Sequence, residues 1–139
     1  VPVSLLALGI LFLGEQLFAL SEDDTVGHAK TEREELVRRL FLPDDAEALL
    51  SKKPKSFRKR PSLSQVKRTL ETNLPSYEEI RKKLKEAGCI TSVEEARCSF
   101  SELKDELLRT MLRSPHLGLL DYYDELGLLE MALTLLEGM

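Results

Sequence analysis

The N-terminal twenty residues, VPVSLLALGILFLGEQLFAL, carry a single charge, Glu15, and this stretch constrains the fold more than any other. An apolar run of that length must be covered all round. Twenty helical residues extend about 30 Å, the thickness of a bilayer's hydrocarbon core. The leading expectation is therefore a single transmembrane anchor over residues 1–20. Glu15 would sit near the interface or face a protein neighbour. Two other readings stay open. A signal peptide lacks a basic leading region here, and Leu17 is too large for a small-x-small cleavage site. A helix buried within the protein would need partners on every side. Ser21, Glu22, Asp23 and Asp24 follow with no base before Lys30, which leans the larger part toward the non-cytoplasmic side.

Charge beyond the apolar head is segregated. Residues 21–51 hold nine acids and four bases, and residues 69–139 hold fourteen acids and eight bases. Between them, residues 52–68 hold eight bases and no acid: Lys52, Lys53, Lys55, Arg58, Lys59, Arg60, Lys67 and Arg68. Pro54 and Pro61 make the core of this belt a loop or extended connector rather than a helix. The expected organisation is an anchor (1–20), an acidic helical segment (21–51), a basic linker (52–61) and a small helical domain (62–139).

Helix-start signals recur through the remainder. In the capping box a Ser or Thr hydroxyl takes a free backbone N–H, and a Glu or Gln three residues on reaches back to the cap. Thr31 with Glu34 opens a helix carrying Leu36, Val37, Leu40 and Phe41, which Pro43 stops. Asp44 with Glu47 opens a brief helical turn. Ser62 with Gln65, Ser76 with Glu79, Ser92 with Glu95 and Ser99 with Glu102 mark four more starts. The last of these carries Phe100, Leu103, Leu107 and Met111 on one stripe. Gly88 is placed to end the helix after Ser76, and Ser114-Pro115 is expected to open the final element. No segment alternates with a two-residue period, so the fold class is all-α, a transmembrane helix followed by an array of short capped helices.

The C-terminal segment, residues 117–139, has fourteen apolar residues among 23. Gly127 is placed to split it. It is either a core helix or a docking helix that offers Leu128, Leu129, Leu133 and Leu136 to another subunit. Asp121, Asp124, Glu125 and Glu130 argue against a second bilayer span.

Signals for chemistry are sparse. His28 and His116 lie 88 residues apart and read as solvated or structural; the alternative is ligation of a metal or tetrapyrrole by a lone His. No HExxH, phosphate-cradling Gly-rich loop or GxSxG is present. Cys89 and Cys98 flank a turn and are too far apart for a CxxC motif. They are either two thiols or, in an oxidising compartment, a disulfide. Residues 76–90, SYEEIRKKLKEAGCI, are similar to the first helix of the SAP family of DNA-binding helix-extended-helix modules, through Ile80, Leu84, Gly88 and Ile90. That resemblance implies a nucleic-acid-binding module. The chain departs from the pattern afterwards, because residues 91–99 intervene before the next helix.

These features point to a non-catalytic, single-pass accessory subunit that binds and stabilises its neighbours in a larger membrane complex. The analogy is with small subunits of respiratory or photosynthetic assemblies, in the thylakoid or mitochondrial inner membrane. Its partners would be other subunits and the bilayer, held through Lys52, Lys53, Lys55, Arg58, Lys59, Arg60 and the four leucines. Whether a pigment or haem is bound is left open. The rival readings are a SAP-like nucleic-acid-binding module and a small secreted or luminal helical protein.

Overall fold

A computed structural model describes residues 1–25, 32–54 and 56–139. Its first helix, α1 (Val3–Gln16), is the apolar head. It continues into a short 3-10 turn, Leu17–Ala19. The helix has 14 residues, which at about 1.5 Å each gives about 21 Å, well short of a bilayer core. Among the described residues no helix is long and apolar enough to cross a membrane. The transmembrane anchor, and with it the single-pass organellar membrane placement, is thereby corrected.

What covers α1 is the rest of the chain. Helices α2 (Arg33–Leu40), α3 (Pro43–Lys52), α4 (Leu63–Asn73), α5 (Tyr77–Glu86), α6 (Val93–Ala96), α7 (Phe100–Arg113), α8 (Leu119–Glu125) and α9 (Leu129–Leu135) follow in order. α1 packs against α5, α7 and α9, and α2 packs against α3 and α7. Leu5, Leu8, Leu13 and Leu17 are fully buried, while Val3 and Phe18 keep 79% and 40% of their surface exposed. An all-round bilayer contact would not sort them this way. At Gly14 the neighbours close in so far that an added Cβ would lie 2.8 Å from Leu74 Cδ2.

The polar atoms of α1 also find partners within the chain. The Ser4 hydroxyl donates to the Ile90 carbonyl at 2.6 Å. The Tyr77 N–H, at the first position of α5, donates to Glu15 Oε1 at 2.7 Å. The charge that interrupts the apolar run is thus an anion at a helix N-terminus, where the helix dipole favours it. The buried Tyr123 hydroxyl donates to the Leu13 carbonyl at 2.6 Å, and burial pushes that phenol well above its ordinary pKa.

Four of the predicted helix starts are seen. The Ser62 hydroxyl accepts from Gln65 N–H and the Ser99 hydroxyl from Glu102 N–H, both as full capping boxes. The hydroxyls of Ser76 and Ser92 accept from Glu79 and Glu95 N–H in the same position. Other starts differ. Thr31 lies outside the described residues, and Glu32 stands at the N-cap of α2. α3 is a full ten-residue helix rather than a brief turn. It begins on Pro43, whose fixed φ suits the first helical position, and Asp44 and Asp45 sit at its positive end. Ser114 ends α7 instead of opening the final element. α8 begins only after Gly118, whose N–H donates to Asp121 Oδ2 at 2.8 Å. Gly127, at φ 73°, separates α8 from α9 as expected.

The core runs through all of these segments, from Leu5 and Leu13 through Val37, Leu63, Leu103, Leu107 and Tyr123 to Leu136. It includes Leu128, Leu129 and Leu133, which are 5%, 3% and 6% exposed, and Leu136, which is fully buried. The four leucines expected to dock on a neighbour therefore face the chain's own interior. The reason lies in α1: being too short to leave for a bilayer, it presents an apolar surface that the C-terminal helices cover.

Candidate binding surface

Four charged side chains meet beneath the basic connector. Arg33 is the first residue of α2, Lys53 directly follows α3, and Asp121 and Asp124 lie one turn apart on α8. Arg33 Nη2 contacts Asp121 Oδ1 at 3.1 Å and Asp124 Oδ2 at 3.3 Å. Lys53 Nζ contacts Asp121 Oδ2 at 3.0 Å and also donates to the Met111 carbonyl. The Lys53 and Asp121 side chains are only 4% and 3% exposed. Burial pulls the Lys53 ammonium below its ordinary pKa, and the hydrogen bond to Asp121 opposes that shift. Such a group is tolerable in a core only because acids and bases balance there and each is hydrogen-bonded. Among the described residues Arg33 Nε is the one buried side-chain polar atom with no partner.

The cluster anchors the start of the connector, since Arg33 Nη1 also donates to the Pro54 carbonyl at 2.9 Å. Further along, the Phe57 ring meets Tyr122 edge to face at 6.1 Å. Arg60 Nη2 donates to the Thr25 carbonyl at 2.9 Å. The Tyr122 hydroxyl donates to the Pro61 carbonyl at 3.1 Å. The Ser62 capping box then starts α4. The belt is thus fastened to the body at both ends and in the middle.

The eight bases divide accordingly. Lys53 was expected to contact a partner; it is buried in an internal ion pair and offers no charge to the outside. Lys67 Nζ donates to the Leu20 carbonyl. Arg60 is exposed at the surface but committed to Thr25. Lys55 lies outside the described residues. Lys52, Arg58, Lys59 and Arg68 are exposed, and among the described residues no acid pairs with them.

In the sequence Arg33 has no assigned role, and Asp121 and Asp124 enter only as charges that argue against a second bilayer span. The available signal was an acid pair at helical spacing, Asp121 and Asp124, among Leu120, Tyr122, Tyr123 and Leu126.

The remaining candidates are less connected. Cys89 and Cys98 are free, half-buried thiols. Each ends a helix through its backbone: Cys89 N–H donates to the Leu84 carbonyl at 2.9 Å and Cys98 N–H to the Val93 carbonyl at 3.1 Å. Of the two readings left open, a disulfide or two thiols, the structure shows two thiols. The stretch similar to SAP modules builds α5, after which α6 intervenes before α7. His116 is exposed, and His28 lies outside the described residues. Among the described residues no group of three or more His, Cys, Asp or Glu side chains is placed to hold a metal ion. No family model, no curated protein and no solved structure matches this chain.

Proposed function

We propose that this chain is a non-catalytic, all-helical accessory protein that binds an acidic partner protein through its basic connector. The observation that supports this is how the connector is held. A solvated linker has no need of a buried ion-pair cluster at one end and hydrogen bonds from Tyr122 and Arg60 near the other. Fastening it costs side-chain and backbone entropy. The arrangement leaves Lys52, Arg58 and Lys59 outside, preorganised for a surface of opposite sign.

The test is retention of native partners by the full chain and by a Lys52→Ser, Arg58→Ser, Lys59→Ser variant, purified in parallel at several salt concentrations. Exposed charge pairs contribute about 0.2–1 kcal/mol each. Three of them together are expected to change retention about tenfold at low salt. The difference should fade at higher ionic strength, as screening shortens the reach of exposed charges to about 8 Å. Equal retention of wild type and variant at low salt would overturn the proposal. So would partners that prove to be nucleic acid, lost on nuclease treatment.

A further inference from the structure

Beside the connector lies a shallow apolar trough of about 300 Å³, walled by Phe57 and Pro61, by Val66 and Leu70 of α4, and by Leu119 and Tyr122 of α8. Phe57, Val66, Leu70 and Leu119 are all only half-buried. The chain's own core therefore leaves part of each uncovered, in one continuous strip. The trough's edge is basic on the connector side, because Arg58 and Lys59 lie between Phe57 and Pro61 and are exposed. Arg60 of the same stretch is taken up by the Thr25 carbonyl, which leaves Arg58 and Lys59 as its exposed, uncommitted bases.

The geometry points to this trough as the seat of an amphipathic helix of the partner protein, with apolar side chains in the strip and acidic side chains against Arg58 and Lys59. The inference rests on the connector being the partner-binding element, and it adds where the partner's apolar face goes. A space open along its length between a helix and a fixed loop suits the side chains of one helical stripe. An acyl chain calls for an enclosed slot, and a nucleic-acid backbone would leave the apolar strip unused.

The test uses the whole chain and a labelled synthetic helix-forming peptide with Leu on one face and Glu elsewhere. A counterpart carrying Lys in place of every Glu is the first control. Anionic phosphatidylserine vesicles are the second. Thr69, exposed on the trough's wall, is replaced by Trp to fill the strip without touching the core. Thr72→Trp, on the same helix outside the trough, reports the effect of the substitution itself. The Glu peptide should bind the wild type and the Thr72→Trp variant. It should bind at least about tenfold more weakly to Thr69→Trp and to an Arg58→Ser, Lys59→Ser variant, a difference of about 1.4 kcal/mol. The Lys peptide should not bind. No binding of the Glu peptide at low salt, undiminished binding to Thr69→Trp, or vesicle binding in place of peptide binding would each overturn the inference. Native-partner retention separates the two proposals. If Thr69→Trp retains partners normally while the Lys52, Arg58, Lys59 variant loses them, the trough is wrong and the connector stands. If neither variant loses them, both fail.

Discussion

Replacing Asp121 by Ala should lower the stability of the chain by about 3–5 kcal/mol, the usual cost of breaking a buried pair from one side. Asp121 accepts from Lys53 at 3.0 Å, from Arg33 at 3.1 Å and from the Gly118 N–H at 2.8 Å. Its loss removes the first counter-charge of Lys53, whose side chain is 4% exposed. It also removes the acceptor that satisfies the backbone at the start of α8. Lys53→Met should cost less, about 1–3 kcal/mol, since it leaves the Met111 carbonyl without its donor and the two carboxylates facing Arg33. Burial already disfavours the Lys53 ammonium, Asp121 keeps Arg33 and Gly118, and Met replaces the stem's packing. Chemical denaturation of the two variants beside the wild type checks the asymmetry through their midpoints. Equal, small losses in both would mean that the cluster is not buried as described.

The second large effect is expected in α9. A Leu129→Asp, Leu133→Asp variant should not fold. Both positions are nearly sealed, at 3% and 6% exposure, and the bases that line the cleft beside them, Arg39 and Lys104, are already engaged by Asp105 and Glu137. Each buried, unpaired acid costs several kcal/mol, against a total stability of about 5–15 kcal/mol for a domain. Leu135→Asp on the same helix supplies the control. Leu135 is 37% exposed, and that variant should unfold within about 0.5 kcal/mol of wild type. Circular dichroism and denaturant titration distinguish the outcomes. A folded double variant would place Leu129 and Leu133 on an outer face and restore a docking role for this helix.

These expectations depend on a packing that was only partly legible in the sequence. Helix starts were the clearest feature, because the hydroxyls of Ser62, Ser76, Ser92 and Ser99 each accept from the backbone N–H three residues on, a local interaction that needs no tertiary context. Gly127 was legible for the same reason. The role of α1 was not. Leu5, Leu8 and Leu13 read alike whether lipid or protein surrounds them, and the covering helices lie far along the chain. Glu15 was the discriminating residue: near an interface it needs only water, whereas here it meets the N-terminus of α5. The misassigned final helix start has a related cause. Pro115 fits a first helical turn, yet Gly118 with Asp121 supplies the actual one. Asp121 does so while also facing Lys53 and Arg33. The charge cluster joins residues 68 and 88 positions apart, and no local pattern announces such a meeting. The basic belt itself was plain in composition. That it is fastened down, with Lys53 turned inward and Arg58 and Lys59 left out, follows only from where Asp121, Tyr122 and Thr25 lie.

The central claim is that the apolar head is the inner helix of the bundle, and it is tested most directly by denaturant unfolding of a chain that begins at Ser21. Deleting residues 1–20 removes Leu5, Leu8, Leu13 and Leu17, all fully buried. It also removes the acceptors for Tyr77 N–H and the Tyr123 hydroxyl. Loss of one buried Leu alone costs about 2–5 kcal/mol, so the shortened chain should show no cooperative transition and little of the helical signal. A cooperative transition with a midpoint near that of the full chain would contradict the account, since it would mean that the remaining helices form their core without the apolar head.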